Sequence, residues 1–426
     1  MTLNLIDLFS GAGGLTEGFL NHDEFNILGH VEKDYSASLT LKVREAFHYL
    51  KKNNKLNIYR DYLNNNIDLK TLFSYVPESI IDKVLNEEIS QYTLSKIFKE
   101  LDQKIQGKKV HGIIGGPPCQ AYSTIGRAIN IKKKETDERI YLYKFYIKFL
   151  IKYSPDFFIF ENVKGLLSFK DTNNKLLLPQ IKKEFEKAGY AIQYEVINTK
   201  FFDVAQSRER IIIFGSKKEF KDFPTLFFNF LNNKKSSKVP TVHEAFCGLP
   251  NLKNGETNND YTTEKNKYIN KYIRITRNLP LTQNIARPHN ERDLKIYKLV
   301  SFAKQSGINL KYNELEQSLK THKHDDKFLD RYKALKWDEP AHTIVAHIAK
   351  DGHHYIHPDI HQNRSITVRE AARLQGFPDD FYFEQSRTAA FTQIGNAVPP
   401  ILSQKFSEAI FEIYNHLYAK KQMTNL

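Results

Sequence analysis

Cysteine is scarce in this 426-residue sequence, which contains two, and no long uncharged apolar run is present. Two cysteines cannot build the disulfide framework of a small secreted protein or a four-cysteine zinc site. A membrane helix needs about 18 consecutive apolar residues, whereas the mean hydropathy of this chain is −0.52. The first residues also lack the basic and then apolar order of a secretion signal. These absences predict a protein of a reducing cytoplasm that does not enter a membrane.

Positive charge is abundant, because 63 Lys and Arg stand against 49 Asp and Glu, for a formal net charge of +14. Residues 217–364 hold most of this excess, with 26 Lys and Arg against 17 Asp and Glu. Such an excess favours a polyanionic partner such as nucleic acid, and a solvated basic surface is the alternative explanation. If a polyanion binds, we expect residues 217–364 to face it.

Short apolar runs alternate with amphipathic stretches in the first half of the chain. Strands this apolar, separated by helices, predict an α/β fold whose mostly parallel sheet is covered on both faces. The strands are predicted at residues 3–9, 26–31, 109–115, 156–163 and 210–214, and the helices at residues 35–52, 137–153, 180–188, 367–375 and 401–418.

Two parts of the chain break this alternation. Residues 64–108 are polar and mainly helical, which indicates an insertion between strands rather than a part of the sheet. Residues 218–360 contain Asn- and Lys-rich loops and few clean helices, which predicts a second, smaller domain. We therefore expect a first domain at residues 1–217, the smaller domain at residues 218–384, and a return to the first domain at residues 385–426.

A glycine-rich turn, residues 7–14, separates the first predicted strand from the first predicted helix. Glycines at this place let the backbone approach a ligand at the carboxyl edge of the sheet. Glu32, at the end of the second predicted strand, is placed to accept hydrogen bonds from ribose hydroxyls. A dinucleotide fingerprint would have its third glycine where Thr16 stands, so a nucleoside cofactor without a pyrophosphate fits better than NAD. Tight packing alone is the alternative reading of such a turn.

Cys119 follows two prolines at the same predicted edge. A rigid, partly exposed cysteine in a basic setting suits a nucleophilic thiolate, although an arbitrary cysteine is more often a small core residue, as we expect for Cys247. Glu161 ends another apolar strand, where a carboxylate must be solvated or paired. The alternation of a strand would place Arg208 and Arg210 on one side of the next strand. An ordinary ion pair at the sheet edge is the alternative reading.

Taken together and in this order, these segments resemble the motifs of the DNA (cytosine-5)-methyltransferases of bacterial restriction-modification systems. The resemblance implies a Rossmann-like, S-adenosylmethionine-dependent methyltransferase sheet with a smaller DNA-recognition domain. It runs through nearly all of the catalytic portion, at residues 7–19, 118–120, 161–163, 206–210, 369–378 and 393–400.

In this family, the implied reaction transfers a methyl group from S-adenosylmethionine to carbon 5 of a flipped-out cytosine in duplex DNA. Cys119 would attack carbon 6, and Glu161 would hold the base and protonate ring nitrogen 3. Arg208 would bind the base oxygen, and Arg210 would orient Glu161 or a phosphate. The DNA contacts implied for the loop after the nucleophile are Gln120 and Ser123. The residues implied for binding the cofactor are Phe9, Gly11, Gly13, Gly14, Leu15, Glu32, Asp61, Pro118, Asn396 and Val398.

The resemblance also implies a monomer of the prokaryotic cytoplasm whose partner is duplex DNA. A cognate restriction endonuclease that acts on the same site is a possible second partner. No metal is expected, although the histidines within residues 353–361 are candidate zinc ligands. A methyltransferase acting on tRNA shares the fold and catalytic residues, and the large basic segment argues against it. A non-catalytic relative would lack Cys119 or the glycine turn, and both are present. Thr16 disfavours a dinucleotide oxidoreductase.

Overall fold

The computed structural model describes residues 2–118, 122, 138–321, 326 and 328–424, with side chains up to residue 417 in the last range. The predicted site residues Cys119, Gln120 and Ser123 lie outside the described residues. No helix in the described ranges is both long enough and apolar enough to cross a membrane.

Strands and helices alternate through the first half of the described chain, as the sequence predicts. The strands are β1 (Leu3–Leu8), β2 (Phe25–Glu32), β3 (Val84–Asn86), β4 (Gly112–Gly115), β5 (Phe157–Val163), β6 (Tyr190–Asn198), β7 (Gln206–Ser207), β8 (Glu209–Lys217) and β9 (Ala341–His342). The helices are α1 (Gly14–Leu20), α2 (Tyr35–Lys52), α3 (Leu56–Leu63), α4 (Leu69–Ser74), α5 (Glu78–Ile81), α6 (Leu94–Ile105), α7 (Leu142–Tyr153), α8 (Leu177–Lys187), α9 (Phe223–Asn233), α10 (Val242–Phe246), α11 (Glu291–Gln305), α12 (Val368–Leu374), α13 (Arg387–Asn396) and α14 (Pro400–Thr424).

Seven of the described strands form one twisted sheet in the order β3-β2-β1-β4-β5-β8-β6. The pairs from β3 to β5 are all parallel, and β8 runs antiparallel to both β5 and β6. β7 and β9 form a separate parallel pair. The predicted α/β fold with a mostly parallel sheet is therefore confirmed.

Side chains that alternate along the strands fill a core on each face of the sheet. On β8, Ile211 and Ile213 belong to the core beneath α6, α7 and α8, whereas Ile212 and Phe214 belong to the core beneath α1, α9 and α14. Because both faces are covered, the strands are apolar on both sides, and this is why the sequence shows nearly continuous apolar runs.

Two elements differ from the sequence-based expectation. β3 lies inside residues 64–108, and it pairs with β2 at the edge of the sheet, so this insertion contributes a strand and the prediction that it stays outside the sheet is wrong. β6 is a sheet strand that the sequence did not reveal, because many of its side chains are only partly buried at the opposite edge.

The helix α9 lies just after the predicted boundary at residue 218. Its residues Phe223, Phe227 and Leu231 are buried in the same core as the sheet. A separate small core forms farther along the chain, around Ile296 and Tyr297. The packing thus assigns α9 to the sheet layer, and the division of the chain at residues 218 and 384 stays a prediction.

The helix α12 is fixed by buried charges rather than by apolar contacts alone. Thr367 and Glu370 form a reciprocal capping box at its start. Arg364 donates to both oxygens of Glu370, and Arg373 pairs in the same way with Asp379. These bidentate pairs hold the helix between the sheet layer and the segments before it.

Candidate functional site

The register of the sheet places the ends of four strands in one row. Leu8, the last residue of β1, pairs with Val31 of β2 and with Gly115 of β4, and Gly115 pairs in turn with Phe160 of β5. The loops that follow these strands therefore begin side by side at the carboxyl edge, which is where open α/β sheets bind their ligands. The predicted cofactor turn, the start of the loop that leads to Cys119 and the acidic residue Glu161 meet there.

The turn after β1 contains three residues with positive φ angles, a backbone conformation that is costly for residues other than glycine. Phe9, Gly11 and Gly13 all have positive φ angles, at 55°, 55° and 86°. The cost is small for glycine but is of order 1–3 kcal/mol for a residue such as Phe9. At Gly11, a Cβ would meet no atom within 4 Å, so the backbone here borders open space. A ligand can approach this turn closely.

Glu32, predicted to bind ribose, also shapes the turn. One carboxylate oxygen accepts the backbone N–H of Gly11 and the other accepts that of Asp34, each at 2.7 Å. Burial raises the pKa of Glu32 above its ordinary value, although these two hydrogen bonds oppose the rise. A carboxylate has about four lone-pair positions, so Glu32 can accept further hydrogen bonds from a ligand.

The far side of the turn is closed by the segment after α13. A Cβ on Gly14 would lie 2.3 Å from the carbonyl oxygen of Val398, so only glycine allows this approach. Leu15 is buried beneath the turn, and Asn396 is exposed at the end of α13. The structure thus brings Gly14 and Val398 together, and the glycines and the Glu32 carboxylate form a cradle that suits a nucleoside.

Asp61, predicted to follow the third strand, does not do so. It lies on α3, where its carboxylate accepts from the side chain of Asn66 at 3.4 Å. The strand next to β2 is β3, and its last residue, Asn86, pairs with Glu32. The Asn86 amide donates to the carbonyl oxygens of Glu32 and Lys33, both at 3.0 Å. The premise that Asp61 follows the third strand is therefore wrong. Asn86 holds that position, which the sequence does not reveal because β3 is too short to recognise.

The loop that leads to Cys119 is held from β5. The side-chain amide of Asn162 donates to the carbonyl oxygen of Pro117 at 3.2 Å. A Cβ on Gly116 would lie 2.7 Å from a carboxylate oxygen of Glu161, so the loop passes directly over that acid. Pro118, partly exposed, is the last described residue before Cys119.

Glu161 and Arg210 form the ion pair at the centre of this edge. The Arg210 Nε lies 2.9 Å from Glu161 Oε1, and the two side chains are 12% and 13% exposed. Both belong to neighbouring antiparallel strands, since Val163 of β5 pairs with Arg210 of β8. A partly open carboxylate fixed by an arginine can accept hydrogen bonds from a polar ring placed above it, and once protonated it can donate one.

Arg208 lies elsewhere, which disfavours the expectation that it binds a base oxygen. It is 2% exposed, and its guanidinium donates to the carbonyl oxygens of Ile344 at 2.7 Å and Gly395 at 3.1 Å. The residues before and after it belong to β7 and β8, which pair with different strands. The chain changes partners at Arg208, so strand alternation does not put it beside Arg210.

The histidines of the smaller core do not gather around a common point. The Nδ1 atom of His353 lies 2.7 Å from the hydroxyl of Tyr297, and the buried His357 ring stacks on Phe246. Burial and the charge of Arg364 lower the pKa of His357 to about 3, which leaves it neutral. Within the described residues, no group of three or more His, Cys, Asp or Glu side chains could hold a metal ion.

Comparison with known proteins agrees with this geometry. A family model described as C-5 cytosine-specific DNA methylase matches residues 70–412. The type II methyltransferase M.Bpa9945I of Bacillus paralicheniformis is 39% identical over 448 residues, which cover 96% of this chain and 99% of that protein. The type II methyltransferase M.DdeI of Desulfomicrobium norvegicum is 29% identical over 96% of this chain and 88% of its own length.

Solved structures show the same fold at lower sequence identity. A prophage-encoded protein of E. coli, assigned as a DNA modification methyltransferase, superposes with a TM-score of 0.59 at 22% identity and covers 97% of this chain and all of its own. The S. pombe Dnmt2 methyltransferase superposes with a TM-score of 0.51 at 15% identity, over 97% and 99% of the two chains.

Proposed function

Because the chain belongs to the C-5 cytosine-specific DNA methylases, we propose that it methylates carbon 5 of a flipped-out cytosine in a specific duplex DNA sequence, with S-adenosylmethionine as donor. It is a DNA cytosine-5 methyltransferase of the type II restriction-modification kind. The observation that carries the finer proposal is the Glu161–Arg210 pair, which lies directly beneath the loop that leads to Cys119.

The cofactor site is proposed along the turn after β1. S-adenosylmethionine supplies the electrophilic methyl group. Glu32 accepts hydrogen bonds from the ribose, and the turn from Phe9 to Gly14 lets the backbone approach the nucleoside. Asn396 and the segment at Val398 close the site from the opposite side. Pro118 lies between this site and the base.

The chemistry on the base needs a nucleophile, because carbon 5 of cytosine is a poor nucleophile by itself. The Cys119 thiolate forms a bond to carbon 6 while Glu161 gives a proton to ring nitrogen 3, so the electron pair of the 5,6 double bond moves to the bond between carbons 4 and 5 and makes an enamine. Carbon 5 then takes the methyl group, which leaves S-adenosylhomocysteine. A base, such as a water molecule, removes the proton from carbon 5, the Cys119 thiolate leaves carbon 6, and the proton on nitrogen 3 returns to Glu161, which gives 5-methylcytosine.

Arg210, not Arg208, is proposed to face the base. It fixes the carboxylate of Glu161, and its remaining N–H groups can reach an oxygen on the ring. Arg208 instead holds Ile344 and Gly395 to the edge of the sheet. This assignment gives Arg210 the base contact that the sequence resemblance implied for Arg208, in addition to its implied role of orienting Glu161.

The DNA is proposed to lie against the basic residues 217–364, with the catalytic edge on its other side. A base within a duplex cannot be reached, so the cytosine must flip out, at a cost of about a few kcal/mol. Gln120 and Ser123 are proposed to contact the DNA beside the gap. A monomer, a cognate restriction endonuclease and a cytoplasmic location remain parts of the proposal.

The test is replacement of Cys119 by serine. Cys119→Ser is expected to abolish methyl transfer and leave the binding of S-adenosylmethionine intact, because the serine keeps the shape and loses the thiolate. Transfer of tritium from the donor is measured on duplex DNA and on tRNA. Normal turnover by the variant would refute the covalent route, and transfer to tRNA alone would refute DNA as the substrate.

A further inference from the structure

A chain of buried polar side chains lies beneath the cofactor turn. His30 of β2 is fully buried between two acids, with its Nδ1 atom 3.5 Å from Asp7 of β1 and its Nε2 atom 3.2 Å from Glu45 of α2. Lys83, which precedes β3, reaches the second oxygen of Glu45 at 3.2 Å. The backbone N–H of His30 also donates to the Lys83 carbonyl oxygen. The cluster thus ties together β1, β2, α2 and the start of β3.

Asp7 connects this cluster to the turn above it. Its carboxylate accepts the hydroxyl of Thr16 at 2.5 Å, and its carbonyl oxygen accepts the hydroxyl of Ser10 at 3.0 Å. Ser10 lies between Phe9 and Gly11, and Thr16 follows Gly13, so the strained turn is fastened to Asp7 at two points. Strain of this kind persists only where the surroundings over-determine it.

The charges around His30 favour its cation. Burial opposes protonation, but the two neighbouring acids, Asp7 and Glu45, outweigh burial and raise the pKa of His30 to about 8. Lys83 faces the far side of Glu45, and His48 of α2 pairs with a different acid, Glu17. Asp7 Oδ1 and His30 Nδ1 are both buried without a hydrogen-bond partner among the described residues, so Asp7 and His30 interact through charge, and a neutral ring at position 30 would leave this acid poorly compensated.

We propose that His30 is a positioning residue for the cofactor site, whose cationic ring holds Asp7 against Ser10 and Thr16 and so keeps the turn shaped for the methyl donor. The inference rests on the proposed function, because it assumes that this turn binds the donor. His30 does not touch the donor, so its charge acts on binding and not on the chemical step.

The pH dependence of cofactor binding, compared between the wild type and variants, tests this role. If only the protein with protonated His30 has the binding-competent turn, the affinity falls with the protonated fraction, by about tenfold between about pH 7 and about pH 9. Binding of S-adenosylhomocysteine, the product, is measured by calorimetry, so that ionisation of Cys119 does not enter through turnover. Ionisation of the ligand's own amino group is common to all variants and cancels when they are compared.

The matched variants are His30→Gln and His48→Gln, which remove two histidines that each contact buried acids around α2. His30→Gln is expected to bind about tenfold more weakly than the wild type at about pH 7, with a flatter pH profile. Its KM for the methyl donor rises, whereas its kcat at saturation stays within about twofold. His48→Gln keeps the wild-type affinity and the wild-type profile.

The outcomes separate this inference from the proposed function. If the wild type binds S-adenosylhomocysteine and His30→Gln keeps the same affinity and the same pH slope, the role of His30 is refuted and the methyltransferase proposal stands. If the wild type neither binds this ligand nor transfers a methyl group at any pH, the proposed cofactor site itself fails. A loss of kcat in His30→Gln with unchanged KM would also overturn the positioning role.

Discussion

Replacement of Arg208 and Arg210 by methionine, one at a time, tests the separate roles that the structure gives to two arginines of one motif. Arg208 is 2% exposed and donates to two carbonyl oxygens. A hydrogen bond from a charged group contributes about 1.5–3 kcal/mol, so Arg208→Met is expected to lower the free energy of unfolding by about 3–6 kcal/mol. Methionine keeps much of the apolar stem and limits the loss of packing.

Arg210→Met removes an ion pair that reaches the surface of the site, with side chains 12% and 13% exposed. Solvent weakens such a pair, so the free energy of unfolding should fall by only about 1–2 kcal/mol. The catalytic loss is larger, because Glu161 loses the group that orients it. The value of kcat is expected to fall by about two to three orders of magnitude.

Urea denaturation followed by circular dichroism gives the free energy of unfolding of each variant, and tritium transfer to duplex DNA gives kcat per folded molecule. Arg208→Met should lose the more stability, and Arg210→Met the more kcat. The reasoning is refuted if Arg210→Met is the less stable of the two, or if folded Arg208→Met loses as much kcat as Arg210→Met.

Three further outcomes follow from the geometry. Gly14→Ala brings a Cβ to 2.3 Å from the Val398 carbonyl oxygen, so it should raise KM for the donor and lower the free energy of unfolding by about 1–3 kcal/mol. Gly18→Ala has a similar clash, at 2.2 Å from the backbone nitrogen of Gln404, and should destabilise the protein without changing KM. Burial raises the pKa of Glu370, but Arg364 outweighs burial and lowers this pKa to about 2. The ionised Glu370 should therefore add about 3 kcal/mol to the free energy of unfolding above about pH 4.5, and this contribution should be lost as the pH falls toward 2. The free energy of unfolding of Glu370→Gln should not show this loss in an acid titration. Affinity for duplex DNA should fall steeply with salt while the choice of site persists, and a flat dependence in a filter-binding assay would contradict phosphate contacts by residues 217–364.

The sequence predicted the sheet well where its strands are buried on both faces, and less well at the edges. Continuous apolar runs identified β1, β2, β4, β5 and β8, because both sides of each strand are covered. β6, at one edge, is only partly buried and was missed. β3, at the other edge, has three residues, too few to show a period.

Some parts of the candidate site could be located from the sequence, and others could not. The glycine turn and Glu32 were predicted correctly in place, because a turn between a strand and a helix has few sequence alternatives. Asp61 was chosen without knowledge of β3, and it lies on a helix instead. The buried cluster around His30 gave no signal in the sequence, since its partners come from β1 and α2.

By itself, the sequence determined which chemical groups are present and in what order, together with the period that makes an α/β sheet. Only the tertiary structure decided which groups face the site. Arg208 and Arg210 are two residues apart, yet one is buried against Ile344 and Gly395 and the other meets Glu161. The physical reason is that the chain passes from the β7–β9 pair to the main sheet at Arg208, and a change of strand partners redirects a side chain in a way that no local pattern records.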